Sequence, residues 1–242
     1  MENPIRTLLI GIAIISAIVM SVMENRNTQR AYESIFEPDW EAISSWPQGE
    51  TLDQIAPDAE RITTVVVLDD SGSMAGDITA AKDAVIRSIE LLPDSARVAV
   101  IGLNAGDILE AMPAPDAKSA ISVELQPVPA DGSTPLAEAV IRAFQILETE
   151  ATRQRGFGTY RVVITTDGEA DDNYALQQAV AHVLSKSPIE VTTIGIGMGR
   201  DHVLKLAGHT NYIPINNIKQ LEAALIEVNA EQTVFEQLPE FQ

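Results

Sequence analysis

Apolar residues fall in short, regularly spaced blocks along most of this chain. Ile62 to Leu68 is a continuous β-branched run, the pattern of a strand buried on both faces. Arg97 to Leu103, Tyr160 to Thr166 and Ile189 to Ile196 read as further strands, and Tyr212 to Ile215 as a shorter one. Between them the period changes to that of a helix. Ile78, Ala81, Val85, Ile89 and Leu92 form one stripe, opened by Asp77 as N-cap and stopped by Pro93. Leu136, Val140, Ala143, Phe144 and Leu147 form a second, entered through Thr134-Pro135 with Thr134 as a natural cap. Tyr174 to Ser187 reads as a third helix, Val203 to Ala207 as a short one, and Ile218, Leu221, Leu225 and Val228 line the last. Residues 104–130 read as irregular, with a short strand over Ser119 to Leu125. Strands alternating with helices imply an α/β fold: a doubly wound, mostly parallel sheet with helices on both faces.

The first sixty residues differ. Thr7 to Met23 carries no charge over roughly 17 residues, the short end of a membrane span. At about 1.5 Å per residue it covers about 25 Å, with Arg6 and Arg26 placed to snorkel at its ends. A cleaved signal sequence is the rival, but bulky Met and Val stand where small residues would precede a cleavage site. The expected organisation is a single transmembrane anchor over 1–24, a polar stalk over 25–60 with one short helix near Thr28 to Phe36, an α/β domain over 61–238, and a tail over 239–242. Trp40 and Trp46, in the stalk, would lie at a bilayer surface or pack on the domain, packing being the simpler reading. Arg6 lies on one side of the apolar run and Arg26 and Arg30 on the other, so the positive-inside rule is near a tie. The short amino-terminal tail places the domain outside the cytoplasm by default.

Charge narrows the function classes. The formal net charge is -19, from 35 acidic and 16 basic residues among 242, and no Lys/Arg cluster occurs, which argues against nucleic acid as a partner. The absence of cysteine excludes disulfides, zinc–thiolate sites and cysteine nucleophiles. His182, His202 and His209 are scattered, GIGMGR after the Ile196 strand lacks dinucleotide-fingerprint spacing, and there is no P-loop.

The chemistry gathers where strands end. VVVLDDSGSM runs from a buried strand straight into Asp69, Ser71 and Ser73; DGSTPL brings Thr134; TTDGEAD brings Asp167. Ligands of open α/β sheets bind at the carboxyl ends of strands. Two carboxylates and three hydroxyls there make a hard-oxygen site, suited to Mg²⁺, Mn²⁺ or Ca²⁺ and not to zinc or copper. Asp70, Glu169, Asp171 and Asp172 stand beside it, either as a solvated rim or as a second cation site.

The order Asp-x-Ser-x-Ser, then Thr, then Asp in T-D-G resembles the metal-ion-dependent adhesion site of the von Willebrand factor type A domain family, over about Ile62 to Gln237. The resemblance implies that Ser71, Ser73 and Thr134 ligate Mg²⁺ through hydroxyls and that Asp69 and Asp167 act directly or through water. It implies that a partner protein's Asp or Glu carboxylate fills the remaining position. The chain is short for adhesive members and carries no evident inserted recognition module, so no particular ligand is implied. The expected function is a membrane-anchored, divalent-cation-dependent protein-binding module for adhesion or complex assembly, not an enzyme. Two alternatives remain: a co-subunit of a cytoplasmic AAA+ ATPase, or a Mg²⁺-dependent hydrolase. The aspartyl-phosphate type of hydrolase needs D-x-D, and here Ser71 takes the second acid's place.

Overall fold

The computed structural model describes residues 38–48, 55–198, 202–206 and 209–230. The apolar run over residues 7–23, the stalk helix near Thr28 to Phe36 and the tail over 239–242 lie outside the described residues. Among the described residues no helix is long and apolar enough to cross a membrane.

Six strands form one sheet: β1 Ile62–Leu68, β2 Arg97–Gly102, β3 Gly106–Pro113, β4 Thr159–Thr166, β5 Glu190–Ile196 and β6 Asn211–Ile215. Their spatial order is β3-β2-β1-β4-β5-β6, with only β3 antiparallel to its neighbour. The helices are α1 Trp40–Ser45, α2 Ile78–Glu90, α3 Ala114–Leu125, α4 Leu136–Arg153, α5 Asn173–Lys186 and α6 Leu221–Ala230.

The two-residue period of a strand sorts β1 between two cores. Val66 and Leu68 pack with α2, α3 and α6 through Val85, Ile121 and Leu225. Val65 and Val67 pack with α4 and α5 through Val140, Leu147 and Val180. A strand covered by helices on both faces has no solvent face, which is why β1 is uncharged and β-branched through to Val67, with Thr63 and Thr64 buried too. After β1 the chain crosses to β2 on one side; it later returns to β4 on the other. The carboxyl ends of β1 and β4 therefore flank the point where the strand order reverses, the crevice in which α/β sheets place ligands.

Residues 104–130 differ from the expectation. They hold the edge strand β3 and the helix α3, and Ser119 to Leu125 belongs to α3 rather than to a strand. Ile121, Val123 and Leu125 alternate as a strand would. A second stripe, Ala114, Ala117, Ile121 and Leu125, has helical spacing, and that is the set buried, while Val123 is 72% exposed. β3 escaped notice because an edge strand with one covered face has little apolar periodicity. Around Val203 there is a turn at Val203 and Leu204 in place of the expected short helix. His202 Nδ1 accepts from Leu204 N–H and Thr210 Oγ1 accepts from Leu206 N–H, so side chains take backbone groups that a helix would use.

The capping expectations are also revised. Asp77 stands at the N-cap of α2, but its side chain makes no capping bond. α4 begins after Pro135, and no side chain caps it; Thr134 contributes its carbonyl, to Leu136 N–H at 2.8 Å. The two tryptophans separate. Trp46 is buried edge-on to Tyr160 with ring centroids 4.9 Å apart, while Trp40 is 72% exposed.

Candidate metal centre

β1 delivers Asp69 to the crevice fully buried. One carboxylate oxygen, Oδ1, accepts from Ser71 N–H at 2.9 Å, folding the loop back on itself; the other, Oδ2, accepts from Thr166 Oγ1 at 2.7 Å. The loop then tightens into a 3-10 turn, Gly72–Gly76. Met74 points down into the core and is fully buried, leaving Ser73 exposed one residue earlier. The serine hydroxyls of Ser71 and Ser73 lie 3.0 Å apart, and Ser73 Oγ donates to Asp167 Oδ1 at 2.7 Å. Asp69, Ser71, Ser73 and Asp167 thus form one hydrogen-bonded chain between the ends of β1 and β4.

Thr134 is held beside this chain by its backbone. Gly72 N–H donates to Gly132 O at 3.1 Å and Asp131 N–H to Asp70 O at 2.8 Å, joining its loop to the β1 loop. Thr134 N–H meets both carboxylate oxygens of Asp171 at 3.1 Å, and Asp171 N–H returns to Thr134 O at 3.1 Å. All five expected residues therefore sit on loops tied to one another, although the Thr134 hydroxyl itself bonds none of the other four.

Each extra acid has a separate task. Asp70 is buried and its carboxylate accepts from Asn104 N–H and Ala105 N–H, both at 2.8 Å, and from Asn104 Nδ2 at 3.3 Å. Asp171 clamps Thr134, as above. Asp172 caps α5 by accepting from Ala175 N–H at 2.9 Å. Glu169 lies 3.9 Å from the buried His202 Nε2. Their carboxylates thus go to separate partners, and among the described residues no three His, Cys, Asp or Glu side chains gather as metal ligands. His202 lies flat on Tyr212, with centroids 5.8 Å apart.

The electrostatics of the centre favour a cation. Among the described residues no Lys or Arg pairs with Asp69 or Asp167. Burial pushes the Asp167 carboxyl above the usual carboxylate range; the Ser73 hydrogen bond opposes this and the neighbouring Asp69 charge adds to it. Asp171 is held below that range by hydrogen bonds from Ser133 and the Thr134 N–H. A cation with oxygen ligands at about 2.1 Å in an octahedron has ligand–ligand edges of about 3.0 Å. The Ser71–Ser73 and Ser73–Asp167 separations are of that size, so the donors present fit such an ion at those two edges.

Two supports were not legible beforehand. Thr166, just before Asp167 in T-T-D-G, orients Asp69; its place at a strand end is a weak signal. Asn104 joins Asp70 to Ser133 O, the latter at 2.9 Å, and nothing local in the sequence marks it.

A sequence profile of the von Willebrand factor type A domain matches residues 64–228. The chain belongs to the von Willebrand factor type A domain family. No curated protein matches it at a significant level. Solved structures agree on the fold. A von Willebrand factor type A protein from Catenulispora acidiphila is similar at TM-score 0.61 and 20% identity, over 72% of this chain and 43% of that one. The pilus adhesin SpaC from Lactobacillus rhamnosus GG, in its open conformation, is similar at 0.56 and 16%, over 76% of this chain and 31% of the adhesin. The manganese-loaded TRAP protein of Plasmodium vivax is similar at 0.52 and 17%, over 69% and 74%. The chain thus spans less than half the length of the first two.

Proposed function

We propose that this von Willebrand factor type A domain is a metal-dependent protein-binding module and not an enzyme. Mg²⁺ is the ion, with Mn²⁺ and Ca²⁺ also accepted by the donor set, and its ligands are Asp69, Ser71, Ser73, Thr134 and Asp167. A partner protein supplies an Asp or Glu carboxylate to the remaining position. The observation that carries this reading is the pair of carboxylates without a counter-charge, linked through serine hydroxyls at the sheet's reversal point. The similarity to a pilus adhesin and to a manganese-loaded protein supports the class of function. A non-enzymatic role is supported by Ser71, which stands where a phosphate-transfer enzyme of the D-x-D type would hold its acid/base. We propose further that the domain is held on the outer face of a membrane; the uncharged run at residues 7–23 supports the anchor.

Calorimetric titration of Mg²⁺ into the full chain in detergent micelles, beside its Asp69→Ala variant, tests the centre. Saturable binding by the wild type alone is expected, followed by capture of a partner that chelator abolishes. Binding of a partner equally well in chelator and in Mg²⁺ would refute the mechanism. Protease added to intact cells should remove the domain; cleavage only after permeabilisation would place it on the cytoplasmic side.

A further inference from the structure

Beside the metal centre lies a second concavity of about 250 Å³, lined by Asp70, Asn104, Ala105, Pro129, Asp131 and Gly132. It shares walls with the centre: Asp70 stands between Asp69 and Ser71, and Gly132 O accepts from Gly72 N–H at 3.1 Å. Small-molecule clefts measure about 300–1,000 Å³, so this one is scaled to a single side chain.

Its hydrogen-bonding inventory is one-sided. The N–H groups of Asn104 and Ala105 both go to Asp70, that of Asp131 to Asp70 O, and that of Gly132 to Asp131 Oδ1. Asn104 Nδ2 bonds both Asp70 Oδ1 and Ser133 O, and Pro129 has no N–H. The remaining capacity is that of acceptors: the exposed Asp131 carboxylate, with only Gly132 N–H on it, and Asn104 Oδ1, on which no described group donates. No Lys or Arg among the described residues pairs with Asp131. Gly132 keeps the wall in place. Its φ is +86°, and a Cβ there would stand 2.4 Å from Asn104 Oδ1.

We infer that this pocket is a specificity subsite for the ammonium or guanidinium of a partner Lys or Arg close to the carboxylate on the metal, with Asp131 as the selecting residue. The inference rests on the metal-dependent reading above. A protein of net charge -19 repels a purely acidic ligand, while a carboxylate accompanied by a base approaches without that penalty.

The test uses Mg²⁺-loaded full chain in micelles and ω-amino carboxylates of four to seven carbons, each against its counterpart without the amino group, with binding read by NMR. At least one amino compound should bind about fivefold tighter than its counterpart, as an exposed charge pair allows. Asp131→Asn should erase that advantage and leave one equivalent of Mg²⁺ bound. The subsite is overturned if no amino compound gains, if the gain survives Asp131→Asn, or if Mg²⁺ binds with a second equivalent that Asp131→Asn removes. Mg²⁺-dependent binding of the plain carboxylates without an amino advantage overturns the subsite alone. Absence of any Mg²⁺ isotherm overturns the metal reading and the subsite with it.

Discussion

Asp167 ionises only against the resistance of its own surroundings. Burial and the Asp69 charge raise its pKa, so the folded carboxyl keeps its proton to higher pH than the unfolded one. The resulting loss of stability is absent below about pH 3.8 and complete above the folded pKa. In chelator at pH 7, Asp167→Asn should therefore raise the thermal midpoint, while abolishing the stabilisation expected of Mg²⁺ on the wild type, about 2.7 kcal/mol at one hundred times Kd. A variant still stabilised by Mg²⁺ would remove Asp167 from the ligand set. Asp70 works differently, because its carboxylate holds two backbone N–H groups of the β2–β3 turn. Asp70→Ala leaves both without acceptors and should cost about 2–5 kcal/mol in denaturant unfolding, whether or not metal is present. His202 shows the opposite sign to Asp167. Burial lowers its pKa below 6.5, and the Glu169 carboxylate, 3.9 Å from Nε2, and the Gly168 backbone oppose the shift without overcoming it. Its contribution is therefore whole above about pH 6.5 and is lost as the pH falls from there towards the folded pKa. Thermal unfolding at pH 7.5 and pH 5.5 should show a smaller acid loss in His202→Phe, which keeps the stack on Tyr212, than in the wild type.

At the scale of elements, legibility followed burial on both faces. β1, β4 and β5 were readable because helices cover both sides of each, so that β-branched residues, Val, Ile and Thr, dominate them and nearly every position is buried. β3 was not, because its exposed face breaks the pattern, and α3 was misread because Ile121, Val123 and Leu125 satisfy a strand's period as well as a helix's partial one. Stability measurements separate the two periods. As a helix, Ile121→Ala should cost about 2–5 kcal/mol while Val123→Ala stays within about 0.5. A strand would set both on one face and make both costly. The candidate site was legible for the same reason as the buried strands: Asp69 and Asp167 directly follow them, so the topology alone assigns them to one edge. Thr166 and Asn104 were hidden because they act through partners far along the chain, Asp69 and Ser133, with which no local spacing connects them.

Over the whole molecule, the more buried ion pairs lie away from the acidic edge, with the exposed Arg142–Asp107 pair beside the β2–β3 turn the exception. Arg97 and Arg153 close on the buried Glu150, and Arg161 on Glu190, all near the amino ends of the strands. Asp69, Asp77, Asp131, Asp167 and Asp171 stand at the opposite edge, without a basic side chain among their described ion pairs. The metal edge therefore lies in a negative field that the remote arginines do little to offset, and part of its attraction for a cation is long-range. Such a contribution is screened by salt, with a Debye length of about 10 Å at 0.1 M and about 3 Å at 1 M, whereas direct ligand bonds are not. The Kd for Mg²⁺ should rise several-fold between 0.05 and 0.5 M KCl. Asp77→Asn should weaken binding at low salt and flatten that slope. Its charge acts on Asp167, yet its side chain makes no capping bond, so α2 keeps its start. Calorimetry across the salt series reads both. A Kd that ignores salt in both proteins would mean that the bound oxygens alone set the affinity, and the acidic edge would then act on the approach of partners rather than on the ion.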